Sequence, residues 1–159
     1  MSTELPTRPD ALTESACFSI VASQYNLEFV DGLVTFALEE LKAIVPNPEI
    51  SVVRVPGSFE TPIAVQTVAI QQKPDALLAF GLIFEGETFH ASLIATTVTQ
   101  ALLDISLRTS IPVLHGVLVT KNEEQARTRC LLPEINRGTE AARAAIRILQ
   151  ALRQVAKAR

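Results

Sequence analysis

The chain has 159 residues, is 48% hydrophobic and 19% charged, and carries a net charge of −3 at pH 7 with no tryptophan. That length suits one domain with a substantial core, and no apolar run reaches the ~20 residues a membrane span needs. The acidic balance and scarce aromatics exclude a general nucleic-acid surface, while Cys17 and Cys130, far apart and outside any CxxC, are expected as reduced thiols.

The opening stretch MSTELPTRPDALTES lacks the basic, apolar, small-residue order of a secretory leader, so a cytosolic chain is expected. Pro6 and Pro9 mark residues 1–14 as an arm. CFSIVA (Cys17–Ala22) reads as a strand closed by the turn SQYN. Apolar residues Leu33, Phe36, Ala37, Leu41 and Ile44 recur at helical spacing from about Phe29, and Pro46 and Pro48 stop that helix. ISVVRV (Ile50–Val55) is β-branched and ends at Pro56-Gly57, and a second helix is predicted over Thr61–Gln72. DALLAFGLIF is apolar at nearly every position, the pattern of a parallel strand covered on both faces. A third helix is predicted from His90 to Arg108, a fourth strand over Pro112–Val119, and a short helix, EEQARTRC, with Asn122 as its cap. From Gly138 an Ala-rich helix carries the stripe Arg143, Arg147, Gln150, Gln154 and Lys157, part of a basic series ending at Arg159, most of it expected as a solvated face.

This alternation implies right-handed βαβ crossovers and a single three-layer α/β/α sandwich with a four-stranded parallel sheet, flavodoxin-like. Ligands of such sheets bind beyond the carboxyl ends of the strands. Those ends carry Ser23-Gln24-Tyr25-Asn26, Pro56-Gly57-Ser58-Phe59-Glu60 and Glu85-Gly86-Glu87-Thr88-Phe89-His90. Together they supply an aromatic face, carboxylates, exposed amides and an imidazole, an inventory suited to a polar heterocycle bearing hydroxyls. Gly86 and Thr88 precede a helix start that favours an anion such as phosphate, and His90 in the first turn is placed to pass protons. An ordinary strand–turn–helix corner with a solvated His90 is the plainer reading of the same spacing. A metal set from His90, His115 and Glu85 or Glu87 has no HxxxH or HExxH spacing behind it. No GxSxG or GxGxxG motif occurs.

Taken in order, VASQYN, RVPGSFETP, AFGLIFEGETFH, IPVLHGVLVT, EEQARTR and NRG resemble the 6,7-dimethyl-8-ribityllumazine synthase family over roughly Phe18–Leu152. The resemblance implies condensation of 5-amino-6-(D-ribitylamino)uracil with 3,4-dihydroxy-2-butanone 4-phosphate, releasing phosphate and water, with no cofactor and no metal. It implies that Tyr25 stacks on the pyrimidine. Ser58, Phe59 and Glu60 then bind the ribityl chain, and Ile83 and Phe84 hold the uracil edge. Glu87 and Thr88 match the phosphate turn, and His90 the general acid/base. His115, Arg129 and Arg137 match positions that reach the site from a neighbouring subunit, Arg129 at the phosphate. Partners implied are the two small substrates and further copies of the chain, as a pentamer and in some members a sixty-subunit shell, with no nucleic acid and no membrane.

Several positions depart from the family pattern. Glu85 stands where Arg or Lys is usual, Ala91 replaces an aromatic, and His115 replaces a phenylalanine. Val119 replaces a threonine, Arg137 a lysine, and Cys130-Leu131-Leu132-Pro133 a glycine-rich turn. Because Tyr25, Glu60, Thr88, His90 and Arg129 are kept, an active enzyme is expected. The alternatives are a flavin- or lumazine-binding homologue without turnover and a shell-forming assembly protein.

Overall fold

The computed structural model describes residues 4–157; Arg159 lies outside them. In chain order they form β1 (Cys17–Ser23), α1 (Leu27–Ile44), β2 (Glu49–Val55), a 3₁₀ turn (Ser58–Glu60), α2 (Thr61–Gln71), β3 (Ala76–Phe84), α3 (His90–Thr109), β4 (Val113–Thr120), α4 (Glu123–Cys130) and α5 (Arg137–Lys157). The four strands pair in parallel in the order β2-β1-β3-β4. After β1 the chain builds outward to β2, then crosses back to lay β3 on the other side of β1. The resulting three-layer, flavodoxin-like sandwich has its topological switch between β1 and β3, where such sheets open a crevice at their carboxyl ends.

Alternation along the strands explains why β3 is apolar throughout. Phe18, Ile20, Leu78, Phe80 and Leu82 face α1 and α5, packing on Leu33, Leu41 and Ile146. Val21, Leu77, Ala79 and Val117 face the other way, onto Val65, Val98, Leu102 and Ile105 of α2 and α3. A strand buried on both faces has no position for a polar side chain. Leu78 is fully buried, so its truncation to alanine costs about 2–5 kcal/mol.

Local chemistry sets the helix boundaries. α1 begins at Leu27 rather than near Phe29 because Asn26 (φ 58°, ψ 44°) turns the chain in the left-handed region that asparagine tolerates. Asn122 caps α4 as predicted, its Oδ1 accepting from Gln125 N at 3.0 Å. α5 starts one residue ahead of the predicted Gly138. Buried Asn136 accepts from Gly138 N at 2.8 Å and donates Nδ2 to the Cys130 carbonyl at 2.8 Å, tying the starts of α5 to the end of α4. Gly138 lets α5 press on α1, since a Cβ there would lie 2.1 Å from the Leu33 carbonyl oxygen.

The expected solvated stripe on α5 is corrected in part. The arm, from residue 4 onward, runs along α5, and the stripe grips it. Arg143 Nη1 donates to Pro6 O at 2.5 Å, Arg147 Nη2 to Thr7 O at 2.8 Å and Gln150 Nε2 to Asp10 O at 3.0 Å. Buried Glu40 on α1 takes Arg8 Nη2 at 2.6 Å and Arg143 Nε at 2.7 Å. Leu12 is buried, and its N–H reaches Ile44 O at 3.1 Å. Gln154 and Lys157 remain exposed. Among the described residues no helix is long and apolar enough to cross a membrane.

Candidate active site

At the switch point between β1 and β3 a pocket of about 300 Å3 opens, lined by Tyr25, Asn26, Gly57, Ser58, Phe59, Glu60, Leu82, Ile83, Phe84, His90 and Ile94. Seven residues singled out from the sequence therefore meet in one cavity: Tyr25, Ser58, Phe59, Glu60, Ile83, Phe84 and His90. Each arrives from a strand end or the turn that follows it. Asn26 Nδ2 donates to Leu82 O at 2.9 Å, holding the end of β1 to the end of β3. The Tyr25 ring lies against Gly57, where a Cβ would come within 2.9 Å of Cδ2. The ring itself is 69% exposed, and Phe59 is 61% exposed. Two aromatic faces so open to water in a folded chain are suited to cover a flat ligand.

Polar groups in the pocket are placed but only partly used. The Glu60 carboxylate accepts from Gly57 N at 2.9 Å, which fixes its side chain across the turn. Phe84 is steadied by an edge-on contact with Phe29, ring centroids 6.0 Å apart at 80°. His90 is the first residue of α3, exposed at the mouth, and no side chain caps that helix start. The N–H groups of the first turn therefore point outward uncapped, an anion-favouring arrangement. Glu85, Gly86, Glu87 and Thr88 precede it as an exposed segment, and space around Gly86 is open. None of those four lines the pocket.

His115 and Arg137 are not in this pocket. They line a second cavity of about 360 Å3 at the open edge of β4, with Ala95, Thr99, Val119 and Glu140 among its walls. The two cavities share no lining residue; consecutive Ile94 and Ala95 of α3 face one each. The two histidines thus occupy separate cavities. Among the described residues no three His, Cys, Asp or Glu side chains gather as a metal ligand set.

The second cavity has its own electrostatics. His115 Nε2 lies 2.9 Å from Thr99 Oγ1, whose hydroxyl proton goes to Ala95 O at 2.7 Å. Thr99 must then accept, which places a proton on Nε2. His115 is exposed as a residue, but desolvation of its imidazole against the cavity wall pushes it below its ordinary value, a backbone hydrogen bond at the same residue partly opposing this. Arg137, 5% exposed, ion-pairs with Glu140. Burial pushes its guanidinium downward, and the nearby charge of Arg129 adds to that. Arg129 on α4 keeps its Nη1 buried without a hydrogen-bond partner among the described residues. An unused buried guanidinium N–H of this kind is suited to an anion.

The residues that carry both cavities fall within one matched stretch. The family model described as 6,7-dimethyl-8-ribityllumazine synthase matches residues 15–153. The chain belongs to the 6,7-dimethyl-8-ribityllumazine synthase family. The 6,7-dimethyl-8-ribityllumazine synthase of Halorhodospira halophila is 36% identical over 143 residues, covering 89% of this chain and 92% of that protein. That of Nitrosospira multiformis is also 36% identical, over 89% and 87%, and that of Kosmotoga olearia 33%, over 89% and 92%. A GDP-L-fucose synthetase from Naegleria fowleri superposes at a TM-score of only 0.42 with 13% identity, covering 94% of this chain and 46% of that one, and adds nothing to the assignment. The family match begins at residue 15, so the arm lies outside it.

Sequence reasoning placed Asn26 at a strand end without a role and passed over Asn136, although each fixes a local junction beside the two cavities. Asn136 had a usable signal, an asparagine directly before an Ala-rich helical run.

Proposed function

We propose that this chain is the enzyme its family is named for, condensing 5-amino-6-(D-ribitylamino)uracil with 3,4-dihydroxy-2-butanone 4-phosphate to 6,7-dimethyl-8-ribityllumazine. The observation that carries this reading is the switch-point pocket within a chain of this family: Tyr25, Phe59, Glu60, Ile83 and His90 converge there. In this reading Tyr25 covers the pyrimidine, the Ile83–Phe84 backbone takes its edge, and Ser58, Phe59 and Glu60 receive the ribityl hydroxyls. The amine attacks the ketone, water is lost as an imine forms, phosphate leaves, and the ring closes with loss of a second water. Holding two substrates in reactive alignment supplies much of the rate. His90 at the mouth moves protons during imine formation or phosphate loss.

We further propose that a second copy completes each site. His115 and Arg137 line the β4-edge cavity, the charge of Arg129 on α4 acts on Arg137, and within one chain that cavity is separate from the switch-point pocket. Bringing one copy's β4 edge to another's pocket is a head-to-tail contact, which closes into a ring when the rotation allows. Exposed Ile63, Ile70, Leu93, Leu103 and Leu107 on α2 and α3 supply apolar surface for such contacts. The phosphate then lies between Thr88 and the uncapped α3 start of one copy and Arg129 of the next, with Glu87 beside it. Glu85, exposed, brings negative charge near that site. A pentamer is the expected ring, alone or assembled into a larger shell.

The test is to mix purified protein with both substrates and follow lumazine absorbance against the spontaneous rate. Product above background supports the enzyme reading; binding of the pyrimidine without product replaces it with a non-catalytic binder. Light scattering reads the assembly, and a monomer would remove the shared site.

A further inference from the structure

Behind Ser58, one of the residues lining the switch-point pocket, lies a polar feature that neither the fold nor the reaction has used. Ser23, the last residue of β1, is completely buried, yet its hydroxyl meets no hydrogen-bond partner among the described residues. Next to it on β3 is Gly81. A Cβ built at Gly81 would lie 2.5 Å from Ser58 Oγ and 3.3 Å from Ser23 Oγ. Both hydroxyls therefore border the same face of Gly81, near enough for a single water to reach the two, and a side chain at this position would crowd them. Ser58 is itself buried and lines the pocket. A buried hydroxyl left unsatisfied carries a desolvation penalty, and such groups in native proteins are paired or joined by ordered water.

We propose that Ser23 is a positioning residue for the pyrimidine substrate: its hydroxyl and that of Ser58 share one buried water over Gly81, which seats the Ser58–Glu60 turn at the height the ribityl chain requires. Ser23 touches no substrate and acts through the turn. The same turn carries Phe59 and Glu60, so loosening its floor weakens recognition of one substrate and spares the other. This inference rests on the functional reading for the identity of the ligand, but the water does not.

A high-resolution crystal structure of the unliganded full chain tests the water directly. Density within hydrogen-bond distance of both hydroxyls is expected, and it should be lost in Ser23→Ala. No water there, or the two hydroxyls bonded to each other, overturns the proposal. Steady-state kinetics test the consequence. Ser23→Ala should raise KM for 5-amino-6-(D-ribitylamino)uracil by roughly 5-fold, about the worth of one hydrogen bond. The butanone phosphate KM and kcat should stay within about twofold. Gly81→Ala, whose methyl intrudes on Ser58 Oγ, should raise the same KM further. Unchanged kinetics in Ser23→Ala, or an equal loss for both substrates with a lowered Tm, overturns the positioning role. If the wild-type protein makes no lumazine, the functional reading fails while the crystallographic outcome still decides the water.

Discussion

Two regions of this molecule are rich in polar side chains, and they treat them oppositely. Along α5, Arg143, Arg147 and Gln150 spend their donors on the arm and on Glu40, so that region closes on itself. At the strand ends, Tyr25, Phe59, Phe89, Thr88 and His90 face solvent and buried Ser23 Oγ meets no partner among the described residues, as Arg129 Nη1 on α4 meets none. A polar group satisfied inside its own chain builds structure, whereas one left unsatisfied around the strand ends is open to water, a ligand or a neighbouring copy. The contrast predicts which substitutions change stability and which change chemistry.

The largest effect is expected at the pocket mouth. His90→Gln should lower kcat by ~10²-fold or more while leaving Tm within about 1 °C, since general acid–base steps contribute on that scale and the side chain is exposed. A wild-type kcat in the variant would show that alignment alone carries the reaction. Next comes Arg129→Ala, expected to cost roughly 30- to 100-fold in kcat/KM for the phosphate substrate, as loss of a buried charged hydrogen bond does. The pyrimidine KM should change little, and Arg129→Lys should recover part of the loss. Equal losses for both substrates would place Arg129 outside the phosphate site and blur the comparison at its central point.

The same contrast explains what was readable from sequence. Patterns that depend on burial were legible: the unbroken apolar run of β3 declared a covered parallel strand, and each helix period fell within a few residues of its observed span. The turns after β1 and β2 and the start of α3 were legible too, because fold topology places strand ends together at a switch point. What stayed hidden was pairing over long sequence separation. Nothing local says that Arg143 will meet Glu40 and Pro6, so the α5 stripe read as solvated. The division of His90 and His115 between two cavities follows from α3 passing between them, which only the packed fold decides. Ser23 read as an ordinary strand-end turn residue; its isolation depends on Gly81 and Ser58, each dozens of residues away.

On the structural side, Glu40→Ala should be costly. It leaves Arg143, mostly buried, without its carboxylate. Removing one partner of a fully buried pair costs about 3–5 kcal/mol; with Arg8 half exposed, about 1–3 kcal/mol is expected here, a Tm drop of roughly 3–10 °C. The arm should become sensitive to limited proteolysis, while kcat of the folded protein stays near wild type. An unaltered Tm would show that the arm contributes nothing to the sandwich.

The smallest effect is the pH response of that same latch, and its sign can be worked out. Burial alone would raise the Glu40 carboxyl, but hydrogen bonds and charge from Arg8 and Arg143 outweigh it and hold the group below its ordinary value. The folded state thus binds the Glu40 proton less readily than the unfolded chain. Its contribution is fully present above the unfolded carboxylate value of ~4.3 and is lost as pH falls through the lower folded value. Between pH 7 and pH 5 the arm should stay seated; below about pH 4 wild-type stability should fall more steeply than that of Glu40→Gln, which has no proton to gain. Parallel acid profiles for the two proteins would mean that the Arg8–Glu40–Arg143 cluster does not link the arm to the fold. The polar residues of α5 would then be no better satisfied, energetically, than those at the strand ends.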